Sequence, residues 1–430
     1  MKIPVRVWSE LEADERARIL ARAELAIDDI VGDVEPIVAD VATRGDTALR
    51  EHTHRLDHLP LDLPFEVPQE DFDQAERRLD PTVRKALDYA IANVTAAHEH
   101  QTPRTLELTE VRPGLLAGER TRPIESVGLY VPQGRGRFPS MLYMLAVPAR
   151  LAGVPRIAVA TPPSPDGAVD DACLYAARKC GVHAVYRMGG AQAIAALAHG
   201  TESIPRVDKI VGPGSAYVAA AKRLLRDRVD VGLPAGPSES VVLADDTAGA
   251  NGVAVDLLIE AEHGSDSQAI LVTTSSTLAA EVARLLPRLI DDTPEPRKTY
   301  LRDVFSGYGG IVLAASMAEA AGIVNDIAPE HLQIRTAEPW STMSLITSAA
   351  EILLGEHSAF SLANYAAGAN AVLPTGGTAR TWSGVSVHDF VKRTSVVQVS
   401  SDAYGQIAAH VEALAEYEGF HWHARALRER

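Results

Sequence analysis

"AVYRMGGAQAIAALAHG", residues 184 to 200, decides the fold: an apolar run ends at two glycines and passes directly into a helix-forming segment. Strand, small-residue turn and helix form the repeating unit of a parallel sheet covered by helices on both faces. The same grammar recurs around it. "SVGLYVP" (126–132), "RIAVATPP" (156–163) and "DKIVGPG" (208–214) are apolar runs closed by glycine or proline, and the last opens into "SAYVAAAKRLL". The pattern resumes after Pro237. "SVVLADD" (240–246) leads to the helix "GVAVDLLIEAEH", then to "AILVTTS" (269–275) and "GGIVLAAS" (309–316). Two parallel sheets are therefore expected, one from about 129 to 238 and one from about 240 to 380. Residues 8–100 read as largely helical, and the C-terminal end as helical and amphipathic.

The bulk properties bound the function. A chain of 430 residues is long for one core and predicts two or more domains. Hydrophobic content of 46% with 23% charged residues describes a globular protein. A formal charge of −16 repels nucleic acid and anionic membranes, and no basic run offsets it. The first twenty residues hold no apolar signal core, so a cytoplasmic location is expected. Cys173 and Cys180 lie seven apart on a helix-like segment, roughly 10 Å along its axis and out of disulfide reach. Buried, reduced thiols are expected.

Several stretches carry chemistry. In "IEAEHGSDSQ" (259–268), Glu260 and His263 fall on one helical face and could grip one ion; a solvated polar face beside a helix end has the same spacing. "GPGSAYV" (212–218) lacks the third glycine of a dinucleotide fingerprint. Its small residues could admit a phosphate to a helix N-terminus or simply make a tight turn. "APEH" places Glu330 and His331 where an acid and a histidine would also sit at an ordinary helix start.

Taken together, "GLYVP" (128–132), "GGAQAIAALA" (189–198), "DKIVGPG", "PAGPSE" (234–239), "EAEHGSDSQ" (260–268), "APEHL" (328–332), "NYAAGAN" (364–370) with "VLPT" after it, and "DFVKRTSV" (389–396) resemble the histidinol dehydrogenase family, in order and spacing, from about residue 30 to the end. The resemblance implies an α/β fold of two incomplete Rossmann-like parallel-sheet domains plus small helical terminal domains, in an intertwined homodimer. The implied divisions are an N-terminal helical segment (1–25), a first discontinuous domain (26–128 with 240–384), a second domain on the NAD side (129–239), and a C-terminal helical segment (385–430) reaching the partner subunit. It also implies a zinc enzyme that passes two hydrides to NAD, taking a primary alcohol through an aldehyde to a carboxylate. Carried over by position, it places zinc ligands at Glu260, His263, Asn364 and His423, and a base and water-activating pair at His331 and Glu330. NAD contacts fall at Tyr130, Gln192 and Ser215. Substrate contacts fall at Ser238 and Glu418, with His331, Asn364 and His423 also facing the substrate. Of the two histidines in "GFHWHAR", His423 is the one matched; His421 would point to another side of the helix.

The chain departs from that family at informative places. Members usually present glutamine and aspartate where this chain has Glu260 and Asn364, so one carboxylate has changed sides while the ligand set keeps its formal charge; the competing reading is loss of the metal, with Glu260 and Asn364 left as a hydrogen-bonded pair. Ala371 follows Asn370 where a histidine is usual. The opening "GLYVPQGRGRFPS" introduces Arg135 and Arg137, which could clamp an anionic group or could be solvated surface residues. Ser215 replaces a cofactor-touching asparagine. These changes together point to a small polar primary alcohol other than histidinol. A genuine histidinol dehydrogenase of histidine biosynthesis is the alternative, and a catalytically idle metal-binding relative the second.

Overall fold

The computed structural model describes residues 1–20, 27–134 and 136–430. Its strands in chain order are β1 (Val5–Val7), β2 (Leu106–Arg112), β3 (Leu115–Pro123), β4 (Ser126–Tyr130), β5 (Arg156–Thr161), β6 (Ala184–Arg187), β7 (Lys209–Val211), β8 (Glu239–Ala244), β9 (Gln268–Thr273), β10 (Gly310–Leu313), β11 (His331–Arg335), β12 (Glu351–Leu354) and β13 (Val391–Val399). They build a four-stranded sheet in the order β6-β5-β4-β7, a six-stranded sheet in the order β1-β10-β9-β8-β11-β12, and a three-stranded sheet in the order β13-β3-β2. All pairings in the first two sheets are parallel. The α/β architecture with parallel sheets thus agrees with the sequence.

Burial on both faces explains why the strands read as unbroken apolar runs. All five residues of β4 are buried, as are β8, β9 and β11 throughout. Val127 and Leu129 of β4 face the helices Pro81–Glu99, Pro139–Leu151 and Asp171–Lys179. Tyr130 faces the helices Ile27–Arg44, Gly190–His199 and Ala216–Leu225. Local signals start these helices: Asp80 accepts from the amides of Thr82 and Val83 with Pro81 in the first turn, and Asp170 caps Asp171–Lys179 in the same way. Cys173 and Cys180 are buried and free, their thiols pushed upward by burial.

Three groupings differ from the expectation. The helices between residues 27 and 99 pack on the four-stranded sheet, because the apolar faces of Ile27–Arg44 and Pro81–Glu99 meet helices of that layer. They do not join the 240–384 unit. The N-terminal segment is not only helical, since β1 extends the six-stranded sheet beside β10. The C-terminal segment likewise contributes β13, which pairs antiparallel with β3 and so joins residues 391–399 to the hairpin of β2 and β3.

Chain order creates a reversal in each parallel sheet. The first runs β4, β5, β6 and returns to β7 on the other side of β4; the second runs β8, β9, β10 and returns to β11 beside β8. Crevices for ligands open at the carboxyl ends of strands at such reversals. In the six-stranded sheet that position is filled. Arg335, at the end of β11, donates from Nη1 to Asp256 Oδ2 at 2.8 Å, both residues being buried. Gly252 leaves room for the guanidinium, as a Cβ there would lie 2.7 Å from Nη1.

In the four-stranded sheet the crevice stays open because Gly212 allows the chain to turn sharply after β7. Its φ is +123°, and a Cβ would lie 2.1 Å from the Tyr130 carbonyl oxygen. Gly212→Ala should therefore lower stability by about 1–3 kcal/mol in chemical denaturation. A parent-like denaturation midpoint would show that the approach of these two strand ends is dispensable.

Candidate active site between the two sheets

Along the carboxyl edge of the four-stranded sheet, three of the residues expected to meet a dinucleotide are found on separate elements. Tyr130 ends β4, and its phenol oxygen accepts from the Gly190 amide at 3.0 Å. Gln192 lies in the first turn of Gly190–His199 and donates from Nε2 to Asp57 Oδ2 at 2.9 Å. The same oxygen accepts from the Gly189 amide at 2.8 Å, so a carboxylate from a distant helix sits at the start of this one. Burial raises the Asp57 carboxyl above its ordinary range, offset by those two donors. Ser215 is the exposed N-cap of Ala216–Leu225 and makes no side-chain capping bond. Between the turn after β7 and the segment before β8 opens a cavity of 610 Å³, lined by Gly212, Gly214, Lys222, Glu239, Thr375 and Trp382 among others. Lys222 donates to the Gly212 carbonyl, and burial pulls its amine down to about 8.

The second half of the site lies at the amino edge of the six-stranded sheet. "APEHL" is not a helix start here: Ala328 ends a helix in the left-handed conformation, and His331 opens β11. Glu330 Oε2 accepts from the Glu239 amide at 2.9 Å, which ties the dyad to a cavity-lining residue. His331 Nε2 stands 3.9 Å from Glu330 Oε1, and its Nδ1 is 2.7 Å from Glu351 Oε2. Burial pushes the Glu330 carboxyl up to about 8, with Glu260 adding to the rise and His331 opposing it. For His331 burial acts downward, but the fields of Glu260 and Glu330 and the bond to Glu351 outweigh it and raise the imidazole to about 10.

Glu260 arrives on the last turn of Ala250–Ala261, a helix whose C-terminus lies at this same edge. It is buried, with Oε2 3.5 Å from His263 Nε2 and Oε1 accepting from Asn364 Nδ2 at 2.6 Å. Carboxylate, imidazole and amide thus converge, a donor set that suits zinc but is one short of the usual four. Among the described residues no three His, Cys, Asp or Glu side chains form a metal cluster. His423 is exposed on His421–Arg428 and stacks on Phe420 at 5.1 Å, while Glu418 caps the preceding helix in solvent. Neither has a described contact with Glu260. Ser238 directly precedes β8, and its carbonyl accepts from the Gln268 amide at 2.9 Å. Arg137 is exposed and pairs with Asp170 at 3.3 Å, the surface role of the two open to it; Arg135 lies outside the described residues. Glu351 and Asp57 belong to the site and carry no motif, so only the strand register and the fold bring them into view; Glu239 ends the motif "PAGPSE", and its place beside Glu330 shows only in the fold.

The sequence profile of the histidinol dehydrogenase family matches residues 20–430. A histidinol dehydrogenase from Synechocystis sp. is 45% identical over 98% of this chain and 98% of its own. A histidinol dehydrogenase homolog from Rhizobium meliloti is 48% identical over 98% of this chain and 92% of its own. The crystal structure of histidinol dehydrogenase from Elizabethkingia anophelis superimposes with a TM-score of 0.93 at 32% identity, covering 100% of this chain and 97% of that one. The expectation of a substrate other than histidinol, built on Glu260, Asn364, Ala371 and the arginine-bearing loop, is overturned by these full-length matches, which favour the alternative. The structure removes part of its basis as well: Ala371 packs against the core of the four-stranded sheet, and Arg137 is taken up by Asp170.

The buried dyad has a pH signature. The folded Glu330 value, about 8, lies above the ordinary 4.5, so its contribution to stability is complete below 4.5 and is lost as pH climbs through 8. Glu330→Gln removes that titration. In urea unfolding of metal-free protein, the parent should lose stability relative to this variant as pH rises across that window. Parallel curves for the two proteins would show that Glu330 is not desolvated.

Proposed function

The chain belongs to the histidinol dehydrogenase family, and from that premise we propose that it oxidises L-histidinol through the aldehyde to the carboxylate, reducing two NAD, as a step of histidine biosynthesis. The family consists of NAD-dependent oxidoreductases acting on a CH–OH group, and it uses zinc. The single observation that carries the proposal is the buried Glu330–His331 pair in the field of Glu260, with Glu330 bonded to the amide of Glu239, a residue that lines the cavity.

Glu260, His263 and Asn364 would hold the zinc, the amide turning its oxygen inward, with His423 of a second copy completing the set. Bound zinc supplies a Lewis acid that favours the deprotonated alcohol, and NAD supplies the hydride acceptor. His331 takes the hydroxyl proton on Nε2 as the carbon loses hydride. For the second oxidation Glu330 draws a proton from the water adding to the aldehyde while His331 returns its proton to the aldehyde oxygen, and the neutral His331 then accepts a hydroxyl proton of the resulting hydrate as the second hydride leaves. A carboxyl raised towards neutrality suits this duty, because it can both take and return a proton near working pH. Tyr130, Gln192 and Ser215 line the cofactor side, and Ser238 and Glu418 the substrate side.

The shared-site arrangement draws support from what one chain leaves uncovered. Tyr417 is 91% exposed and Trp422 70%, next to Phe420 and Leu414, on helices that carry Glu418 and His423. Such an apolar surface is expected to be covered, and a second copy of this chain is the cover we infer. No helix among the described residues is long and apolar enough to cross a membrane.

Purified protein with L-histidinol should form two NADH per alcohol consumed, and His331→Asn should lower kcat by on the order of 10² to 10⁴. Absence of turnover by the parent would sink the proposal. Deleting residues 411–430 should abolish zinc retention, read by metal analysis, while far-ultraviolet circular dichroism still reports folded sheets. A truncated chain that keeps its zinc would contradict the shared site.

A further inference from the structure

We propose that Glu351 is a positioning residue for the reaction: it holds His331 by Nδ1, so that Nε2 alone faces the substrate as the proton acceptor. The inference rests on the reading of His331 as the base. Glu351 lies on β12, the edge strand beside β11, and the register places it directly against His331. Paired residues of neighbouring parallel strands stand at one level, about 4.8 Å apart, so sheet geometry itself brings imidazole and carboxylate together. The strand is fixed locally, with the Glu351 amide donating to the Glu330 carbonyl at 3.0 Å and the Ala350 amide to the Pro329 carbonyl at 3.0 Å.

A carboxylate can only accept, so the 2.7 Å contact keeps a proton on Nδ1 and makes Nε2 the nitrogen that carries the lone pair whenever the ring is neutral. Nε2, 3.9 Å from Glu330 Oε1, is beyond hydrogen-bond distance and remains for a ligand. The ring is also boxed in: Phe360 meets it edge-on, with centroids 5.8 Å apart and planes at 69°. Around it stand Glu330 on its own segment, Glu351 on β12, Glu260 from Ala250–Ala261 and Ser240 paired on β8. Among the described residues, Glu351 is the one carboxylate hydrogen-bonded to the ring itself.

Its second oxygen supports a use beyond architecture. Glu351 Oε1 is buried and has no hydrogen-bond partner among the described residues. An orphaned carboxylate oxygen is costly, and a neutral acceptor could tether the ring at less expense. The negative charge has a use when Nε2 gains the substrate proton. The imidazolium then faces Glu351 across a bond already made, and no proton passes to the carboxylate.

Glu351→Gln keeps the shape and removes the charge. In the zinc-loaded enzyme kcat should fall on the order of 10²-fold, with KM for NAD and alcohol changed by less than about two-fold and zinc content unchanged. Glu351→Asp, which restores the charge at shorter reach, should keep more of kcat than the glutamine variant. Parent-like kcat in Glu351→Gln, an effect confined to KM, or equal losses in the two variants would each overturn the proposal. So would a glutamine variant unable to fold, since the charge is assigned no part in holding the sheet. His331→Asn measured alongside separates the two readings: an inactive His331→Asn beside an active Glu351→Gln sinks only this proposal, whereas an active His331→Asn sinks the function it rests on.

Discussion

Placing Glu260, Glu330 and Glu351 around one buried imidazole is the constraint on which the rest of the site depends. Like charges in a dry space cannot all stand ionised without compensation. The fold compensates locally. The Glu239 amide takes one oxygen of Glu330, Asn364 takes one of Glu260, and His331 takes one of Glu351. The remaining imbalance appears as protons held on Glu330 and His331 well above their ordinary values. A site of this kind is poised for a cation, because a divalent ion beside Glu260 would discharge the field that holds those protons. Desolvation thus raises Glu330, whereas His331 is raised by the surrounding carboxylates against its own desolvation.

The two parallel sheets divide the work by which edge they present. The four-stranded sheet offers the carboxyl ends of β4 and β7, kept open by Gly212, where under the proposed function a dinucleotide would meet helix N-termini. The six-stranded sheet closes its corresponding crevice with Arg335 and Asp256 and offers its amino edge instead. The helix Ala250–Ala261 runs back against the strands and delivers Glu260 to that amino edge. Two units built on one grammar therefore carry different chemistry, because one crevice holds a cavity and the other a buried ion pair.

Much of this was legible in the sequence, for reasons specific to particular residues. Strands buried on both faces have no choice but to read as apolar runs, so β4, β5, β8 and β9 announce themselves. The spacing of Glu260 and His263 announces their proximity, although the helix ends at Ala261 and His263 reaches Glu260 from the turn beyond it, not from a shared helical face. The hairpin of β2 and β3 escaped because β2 is exposed along its whole length and β3 is mostly half-buried, so neither presents an apolar face, and β13 completes that sheet from far along the chain. "APEH" looked like a helix start because proline and acid favour that position; the left-handed turn at Ala328, which ends one helix before the strand begins, is invisible in composition. Glu351 and Asp57 carry no motif, since each acquires its role only when a register or a packed helix sets it against a residue that does. The substitutions at Ala371 and Arg137 misled in the opposite sense: each looked like a substrate determinant, and each is absorbed by packing or by a surface pair.

The unfinished ligand set has a thermodynamic consequence under the proposed function. A single chain gathers a carboxylate, an imidazole and an amide, while Glu418 and His423 stand apart on helices with exposed apolar residues. If the fourth zinc donor comes from a second copy, metal binding and association share one free energy, and each must strengthen the other by the same factor. Dilution would then weaken the site without disturbing a residue of either sheet, and zinc would act as a clamp between chains as well as a Lewis acid. Such coupling would account for donors drawn from an exposed C-terminal segment when the sheets already bury Glu260 so firmly. A fully enclosed set would bind metal in each chain separately, whereas a divided one makes the active centre exist only where two folded copies meet.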